Sequence, residues 1–364
     1  MKTKFTTLFL AVLLFSSHSY ANEEGAFLSS PFKNHNHPIK DDFSQKSLSI
    51  RSNTLSVIKN MSQVKSQGSR GTCSIFSAAA MVEGLLAIAG FANSSIDLSE
   101  EWLEYLNIAS TRSTTDGSFT SRNFRLMRSN GMAFETTLPY ESENWEKMDN
   151  SLELQRCQGL VSSEKTMCEL GHFNPNFYRM SDKAISQSAG GERFLQAKEE
   201  ALINKEKFPK FKGQYSINSV SEIKSRLELG VPVVLDITFF YGAWNHRKAD
   251  ELGIGRDLNL WANGVVSYPE RQSLDYKLSM ENRAGHSVLL VGFDNEKEVK
   301  TTVKMRDGST KTFTYKGVYY FKNSWGTNSF GSQTMIEGES HQGYGVITQK
   351  YAHDYGSFYK LDMY

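Results

Sequence analysis

The sequence has neither an excess of charge of one sign nor an apolar run long enough to cross a membrane. Its 364 residues include 41 lysines and arginines and 40 aspartates and glutamates, so its formal net charge is +1. A near-neutral charge gives no support for a nucleic-acid partner or for binding to an anionic membrane. The apolar stretch of residues 5–15 is shorter than the roughly 20 residues that a spanning helix needs, and no later stretch could span either. With 39% hydrophobic residues, the chain can bury a sizeable core in one large domain or two.

Residues 1–21 have the three parts of a secretory signal peptide. Two lysines give the start of the chain positive charge, residues 5–15 form a short apolar core, and Ser19-Tyr20-Ala21 is a small-x-small cleavage site. We expect export and cleavage before Asn22. The mature protein would then lie in a periplasm or outside the cell.

A glycine-rich turn brings one cysteine to the start of an apolar helix. The stretch reads Gln67-Gly68-Ser69-Arg70-Gly71-Thr72-Cys73-Ser74-Ile75-Phe76-Ser77, and apolar residues continue at helical spacing to Ala89, before Gly90. Cys73 would lie at the N-terminus of this helix, where unpaired backbone N–H groups and the helix dipole favour a thiolate. Taken alone, the pattern also fits a small core cysteine that precedes a helix.

Two later stretches place a histidine and an asparagine at the ends of apolar strands. They read Gly285-His286-Ser287-Val288-Leu289-Leu290-Val291-Gly292-Phe293 and Tyr319-Tyr320-Phe321-Lys322-Asn323-Ser324-Trp325-Gly326. With the cysteine stretch, they match in order and in separation the motifs Q-G-x-x-G-x-C-x-x-F-S, (D/N/G)-H-x-V-x-x-V-G-(Y/F) and K-N-S-W-G. The sequence therefore resembles the papain-like cysteine peptidases.

This resemblance implies an α+β fold of two lobes with a cleft between them. Residues 54–364 would form the papain-like peptidase domain. Residues 54–215 would be a mainly helical lobe that carries the nucleophile helix, and residues 216–364 an antiparallel, β-rich lobe. The family pattern is lost at about 141–213 and about 239–282, so we expect an insertion in each lobe.

The resemblance also implies a role for each motif residue. Cys73 would be the nucleophile, and His286 would form a thiolate–imidazolium pair with it and later protonate the leaving amine. Asn323 would orient the imidazole, and Trp325 would shield that hydrogen bond from water. The oxyanion would lie between the Gln67 side-chain amide and the Cys73 backbone N–H.

Backbone groups beside the cleft are expected to bind substrate in extended form. Asp116-Gly117-Ser118-Phe119 aligns with the family's N-G-G-(Y/F) loop, although a serine replaces the second glycine. We assign Gly285 to substrate binding as well, and Gly71 to support of the nucleophile turn. Arg70 stands where family members commonly have a disulfide cysteine, so this turn must be held in another way.

The two remaining cysteines, Cys157 and Cys168, are close in sequence and would be in an oxidising compartment. We predict that they form one local disulfide, and the alternative is two free thiols in an insertion. Residues 22–53 lie where papain-like zymogens carry an inhibitory pro-segment. In this short leader, Phe27-Leu28 and Pro31-Phe32 would plug an apolar cleft, unless the leader is disordered.

The sequence therefore predicts an exported, monomeric cysteine peptidase that hydrolyses peptide bonds through an acyl-enzyme intermediate. The mechanism requires neither a metal nor a cofactor, and we predict none. One alternative is a catalytically silent papain-like module for binding or adhesion, and another is a papain-like acyl transferase. The residues that set side-chain specificity cannot be aligned through the insertions, so no specificity is predicted.

Overall fold

The structure, a computed structural model, describes Ile39 and residues 50–147 and 151–364. The predicted signal peptide and most of the predicted leader, including its two apolar pairs, lie outside the described residues. None of the helices in the described part of the chain is both long and apolar enough to cross a membrane.

The first half of the described chain is helical. The central helix is apolar on all sides, and its residues from Cys73 to Leu86 are buried. It ends at Ile88, and Gly90 follows with a φ of 76°, a left-handed conformation that suits glycine at a helix end. The helices are α1 (Thr54–Ile58), α2 (Cys73–Ile88), α3 (Glu100–Thr111), α4 (Thr120–Asn130), α5 (Ser151–Arg156), α6 (Ser162–Gly171), α7 (Asp182–Ser186) and α8 (Gly191–Lys207), with 3-10 turns at Trp145–Lys147 and Pro175–Tyr178.

Helices α3 and α4 pack against α2. The residue before α3 caps the N-terminus of that helix. The Ser99 hydroxyl accepts a hydrogen bond of 3.0 Å from the backbone N–H of Trp102, which caps the helix. Helices α5 to α8 lie within the predicted insertion of about 141–213. The disulfide between Cys157 and Cys168, predicted from the sequence, is present there and joins α6 to the residue after α5.

The second half of the chain forms a seven-stranded sheet with helices around it. The strand order is β1-β9-β2-β4-β5-β8-β3, and all neighbours are antiparallel except β3 and β8, which are parallel. The predicted antiparallel, β-rich lobe is therefore confirmed, with one parallel pair at the edge of the sheet. The elements are β1 (Ser216–Ile217), α9 (Val220–Glu228), β2 (Val233–Phe239), α10 (Arg247–Glu251), α11 (Leu258–Ala262), β3 (Val265–Val266), α12 (Leu274–Glu281), β4 (Ala284–Lys304), β5 (Thr310–Lys322), β6 (Met335–Ile336), β7 (Glu339–Ser340), β8 (Tyr344–Thr348), α13 (Gln349–Tyr355) and β9 (Gly356–Tyr359).

The pairing of β2 with β4 decides which side chains face the nucleophile helix. Asp236 lies opposite Ser287, and Ile237 lies opposite His286. Successive side chains of a strand point to opposite faces, so Asp236 and Ser287 share one face of the sheet. That face meets α2, because the Ser287 and Ser77 hydroxyl oxygens are 2.6 Å apart.

The chain just before α1 also belongs to the β-rich part of the fold. Arg51 forms an antiparallel bridge with Asp294 of β4, and Ser52 is buried. The backbone N–H of Ser52 donates to the carbonyl of Phe293, at 3.0 Å. Residues 50–53, which the sequence assigned to the leader, therefore pack against the sheet.

Candidate active site

Cys73 is the first residue of α2, follows a tight turn and is the free cysteine of the chain. Gly68 in this turn has a φ of 61°, and a Cβ there would lie 2.7 Å from the Ser142 side chain, so the position requires glycine. The Thr72 hydroxyl lies 2.7 Å from the Tyr140 hydroxyl, which holds the residue before the cysteine. The Cys73 side chain is only 4% exposed.

His286, Asn323 and Trp325 form one buried cluster at the edge of the β-rich lobe. His286 Nε2 donates a hydrogen bond of 2.8 Å to Asn323 Oδ1. The indole of Trp325 stacks on the imidazole with ring centroids 4.5 Å apart. His286 Nδ1 is buried and has no hydrogen-bond partner among the described residues. The ring is thus oriented by Asn323 and covered by Trp325, with one nitrogen left free.

Gln67 connects the nucleophile turn to the segment that carries Asn323. Its backbone N–H donates to the carbonyl of Ser324, at 2.9 Å, and its Oε1 accepts from the Ser324 hydroxyl, at 2.7 Å. Its Nε2 donates to the carbonyl of Arg70, at 2.6 Å. A side-chain amide has two N–H groups, so one remains for another acceptor.

Burial favours the neutral forms of both the thiol and the imidazole. Burial, and then the charge of Asp236, raise the pKa of Cys73 to about 12, although backbone N–H groups at the helix N-terminus and at Ser287 act against this. Burial lowers the pKa of His286 to about 4, although its bond to Asn323 acts in the other direction. The predicted effect of the helix N-terminus is therefore present but smaller than the effect of burial.

Arg70 holds the nucleophile turn through a buried ion pair. Its Nη2 lies 2.8 Å from Asp116 Oδ1, and it also donates to the carbonyl of Leu170, at 2.6 Å. Asp116 Oδ2 in turn accepts from the backbone N–H of Gly71, at 3.2 Å. These contacts connect the turn to the loop of Asp116 and to α6. The sequence indicated only that the family disulfide is missing at this turn and that the turn must be held in another way.

The predicted substrate-binding residues lie on two sides of the nucleophile. The Asp116 carboxylate is engaged by Arg70, and the Gly117 carbonyl accepts from Asn107 Nδ2, at 3.5 Å. Ser118 is buried, and its hydroxyl is 2.7 Å from the hydroxyl of Ser74, the residue that follows Cys73. Gly285 lies in β4 beside His286 and opposite Thr238 of β2.

The second insertion contributes aromatic residues that the sequence did not assign to the site. The Trp244 ring centroid lies 5.1 Å from the imidazole of His286, with the rings nearly perpendicular. The Trp261 ring stacks on Trp325 at 5.7 Å, and His246 lies 6.1 Å from Trp325. The sequence gives one signal of this contribution, the many aromatic residues within 239–246. That pattern alone is also typical of a hydrophobic core.

The cluster best suited to a metal ion already holds an ammonium group. Oxygen atoms of Asp97, Glu100 and Glu135 lie within 4.8 Å of one another. Lys65 Nζ lies 2.5 Å from Asp97 Oδ1, 2.8 Å from Glu100 Oε1 and 2.9 Å from Glu83 Oε1. The lysine therefore balances the negative charge that would otherwise attract a cation.

Comparison with known proteins gives one family match and a set of similar structures. Residues 46–196 match the family model described as papain family cysteine protease. No curated protein matches in sequence. Xylellain, a cysteine protease from Xylella fastidiosa, is similar with a TM-score of 0.50 and 15% identity over 87% of each chain.

Two further structures are similar at lower scores. The clostridial cysteine protease Cwp84 has a TM-score of 0.45 and 16% identity, covering 86% of this chain and 58% of its own. Digestive procathepsin L 3 of Tenebrio molitor has a TM-score of 0.44 and 17% identity, covering 93% of this chain and 76% of its own.

These findings agree with the fold of the described chain. The chain has the papain-like α+β fold that the sequence predicted, with helices first and the sheet second. Its resemblance to the papain family of cysteine proteases is confirmed, with the family match over residues 46–196. At 15% identity the likeness to xylellain shows the fold and not the activity.

Proposed function

We propose that this protein is an exported cysteine peptidase that hydrolyses peptide bonds through an acyl-enzyme intermediate. One observation carries the proposal. His286 Nε2 is bonded to Asn323 Oδ1 under the ring of Trp325, in a chain whose free cysteine begins a helix next to that strand. An imidazole oriented by a hydrogen bond, with a free Nδ1 and on a strand that packs against the helix of a free cysteine, is what nucleophilic catalysis by cysteine would use.

The free ring nitrogen sets the direction of proton transfer. Because Nε2–H is committed to Asn323, Nδ1 would take the proton from the Cys73 sulfur. Burial opposes a lone thiolate and a lone imidazolium, but a proton passing between them creates both charges at once, and each then stabilises the other. The two groups therefore titrate as a pair in the active enzyme.

The reaction then follows from the positions of these groups. The thiolate would attack the carbonyl carbon of the peptide, and the oxyanion would accept from the free N–H of Gln67 and from the Cys73 backbone N–H. The proton on His286 Nδ1 would pass to the departing amine. Water would then release the acyl group from sulfur, with His286 acting as the base.

The substrate is a peptide or protein, and we propose that residues 22–53 restrain the enzyme until they are removed. An oxidising location, a periplasm or the cell exterior, is supported by the Cys157–Cys168 disulfide. We expect a monomer, because the proposed mechanism needs residues of one chain only.

A second candidate is a catalytically silent papain-like module, and the burial of the site favours it. His286 is 1% exposed and Gln67 is 0% exposed, and burial favours a neutral thiol and a neutral imidazole. Such a module would keep the fold and its cleft for binding. An acyl transferase would use the same cysteine but would pass the acyl group to an amine.

Alkylation of the thiol in the folded protein separates these candidates. Protein without residues 1–21 is first treated by limited proteolysis to remove the leader and is then treated with iodoacetamide. Both the modified fraction at Cys73 and the remaining peptidase activity are measured over time. We expect the two to change in proportion. A thiol that reacts only after unfolding would reject the peptidase and favour the silent module. Alkylation that removes transfer to an added amine, with no hydrolysis at any stage, would favour the transferase.

A further inference from the structure

A buried carboxylate that the proposed reaction does not use lies beside the nucleophile. Asp236 is on β2, is 2% exposed and shares a face of the sheet with Ser287. Its charge acts on the Cys73 sulfur, where it is the second cause, after burial, that disfavours the thiolate. The proposed reaction needs a thiolate at Cys73, and the negative charge of Asp236 opposes the formation of that thiolate.

Asp236 is held in place by three hydrogen-bond donors. Its Oδ1 accepts from the Thr120 hydroxyl, at 2.6 Å, and from the Ser287 hydroxyl, at 2.7 Å. Its Oδ2 accepts from the Thr120 backbone N–H, at 3.3 Å. Thr120 begins α4 in the helical lobe, whereas Ser287 is in β4, so this carboxylate joins the two lobes at the nucleophile.

Ser287 links the carboxylate to the sulfur and to the helix beneath it. Its hydroxyl contacts Asp236, its backbone N–H acts on the Cys73 sulfur, and its hydroxyl oxygen is 2.6 Å from that of Ser77. Ser77 lies one turn after the cysteine on α2. A change in the charge of Asp236 therefore affects ionisation of the Cys73 sulfur both directly and through Ser287.

The partners of Asp236 are uncharged, and none of them balances an ionised carboxylate. On the elements packed around it, the titratable groups that its charge affects are Cys73 on α2 and Tyr359 on β9. From α4 and β4 it receives hydroxyl and backbone donors. Burial raises the pKa of Asp236 to about 6, and these donors act against the rise. The Asp236 carboxyl therefore changes its charge around pH 6.

We propose that Asp236 is a positioning residue that makes activation of Cys73 depend on acid. When Asp236 is protonated, it keeps its bonds to Thr120 and Ser287 without opposing the thiolate. When it is ionised, its negative charge favours the thiol and lowers the reactivity of the sulfur. The inference rests on the proposed function only in taking Cys73 as the reacting group.

The test is the rate of Cys73 alkylation by iodoacetamide between pH 5 and pH 8, measured by intact mass on the folded chain without residues 1–21, after limited proteolysis of the leader. Asp236→Asn removes the charge and keeps the shape. We expect equal rates for this variant and wild type at pH 5, and about tenfold faster alkylation of the variant at pH 7.5, as for a shift of one pKa unit.

Asp275 provides a matched control. It is fully buried, accepts from the backbone N–H groups of Gly242 and Ala243, at 2.8 Å each, and from the Ser279 hydroxyl, at 2.7 Å. It does not contribute to the shift at Cys73. Asp275→Asn should therefore leave the alkylation profile of wild type unchanged. An equal change in both aspartate variants would show a general loss of packing and would overturn the proposal.

Ser287→Ala gives a second variant if Asp236→Asn does not fold. It removes one hydroxyl donor from the ionised carboxylate and retains the backbone N–H, so Asp236 should stay protonated to a higher pH. We expect faster alkylation than wild type between pH 6 and pH 7 and equal rates at pH 5. Profiles identical to wild type, or slower at pH 7.5, would reject the role of Asp236. Peptide cleavage plays no part in this readout, so failure of the proposed function would be seen separately.

Discussion

Replacing Arg70 with methionine would leave a buried carboxylate at the nucleophile turn without its cation. Arg70 is 1% exposed, and its Nη2 lies 2.8 Å from Asp116 Oδ1 and 3.5 Å from Glu104 Oε1. Burial, reinforced by the neighbouring Asp116, raises the pKa of Glu104 to about 8, so Glu104 is mostly protonated at neutral pH. The closest ion pair that the substitution breaks is therefore the one with Asp116, and the contact of Arg70 Nη1 with Glu101 Oε2 is longer, at 3.9 Å.

The magnitude follows from burial. Removing one partner of a buried ion pair typically costs about 3–5 kcal/mol, because the other charge is left unpaired. The carbonyls of Leu170 and Glu141 would also lose a donor. We expect Arg70→Met to lower the free energy of unfolding by about 4 kcal/mol. For a chain of this length that corresponds to roughly 6 °C in the unfolding midpoint.

The assay is thermal and urea unfolding of the two substitutions, alone and combined. The combination of Arg70→Met with Asp116→Asn should be less destabilised than the sum of the single variants by about 2 kcal/mol, because no charge is left alone. Arg112→Met is the control, since Arg112 lies 2.8 Å from Glu164 but both side chains are at least one-third exposed. Its midpoint should not change. A loss below about 1 kcal/mol for Arg70→Met, or simple additivity, would refute this account of the turn.

Four further predictions concern catalysis and stability. His286→Ala should nearly abolish kcat/KM for a peptide, whereas Asn323→Ala should cost less, because it orients the ring without moving the proton; equal losses would contradict this division of roles. Gln67→Ala should lower kcat by about 10²–10³ while iodoacetamide still alkylates the cysteine, and an unchanged kcat would exclude Gln67 from the oxyanion site. Replacing both disulfide cysteines with serine should lower the free energy of unfolding by about 3 kcal/mol with kcat unchanged, and an unaltered urea midpoint would contradict this. Burial raises the pKa of Asp236 in the folded state to about 6, so wild type should lose about 2 kcal/mol of stability relative to Asp236→Asn as pH rises from 4 to 6 in urea titrations. Parallel curves would contradict that shift.

The site residues that the sequence predicts belong to motifs whose members are close together along the chain. The nucleophile turn and its helix are read from one stretch, because the glycines, the cysteine and the helical spacing are adjacent. Asn323 and Trp325 are two residues apart on one segment. His286 precedes a run of apolar and β-branched residues that is typical of a buried strand. Local pattern was therefore enough for the fold class, and it also marks the candidate residues of each motif.

The remaining features depend on pairing between distant segments. Asp236 faces the nucleophile only because β2 pairs with β4 in a register that places it opposite Ser287. In the sequence it is a single acid within a β-branched run, with nothing to mark it. The hydrogen-bond partners of Arg70 are 46 and 100 positions away in the sequence, at Asp116 and at Leu170. The short parallel strand β3 lies inside an insertion, where no motif could align it.

Peptide cleavage by wild type and by Cys73→Ala tests the central claim most directly. Both proteins, without residues 1–21, are incubated under reducing conditions with a pooled library of short fluorogenic peptides. Each is assayed before and after limited proteolysis of the leader. The account predicts cleavage by wild type and none by Cys73→Ala, with the preferred sequences giving the specificity of the cleft. Equal cleavage by the two proteins, or none by wild type after the leader is removed, would contradict it.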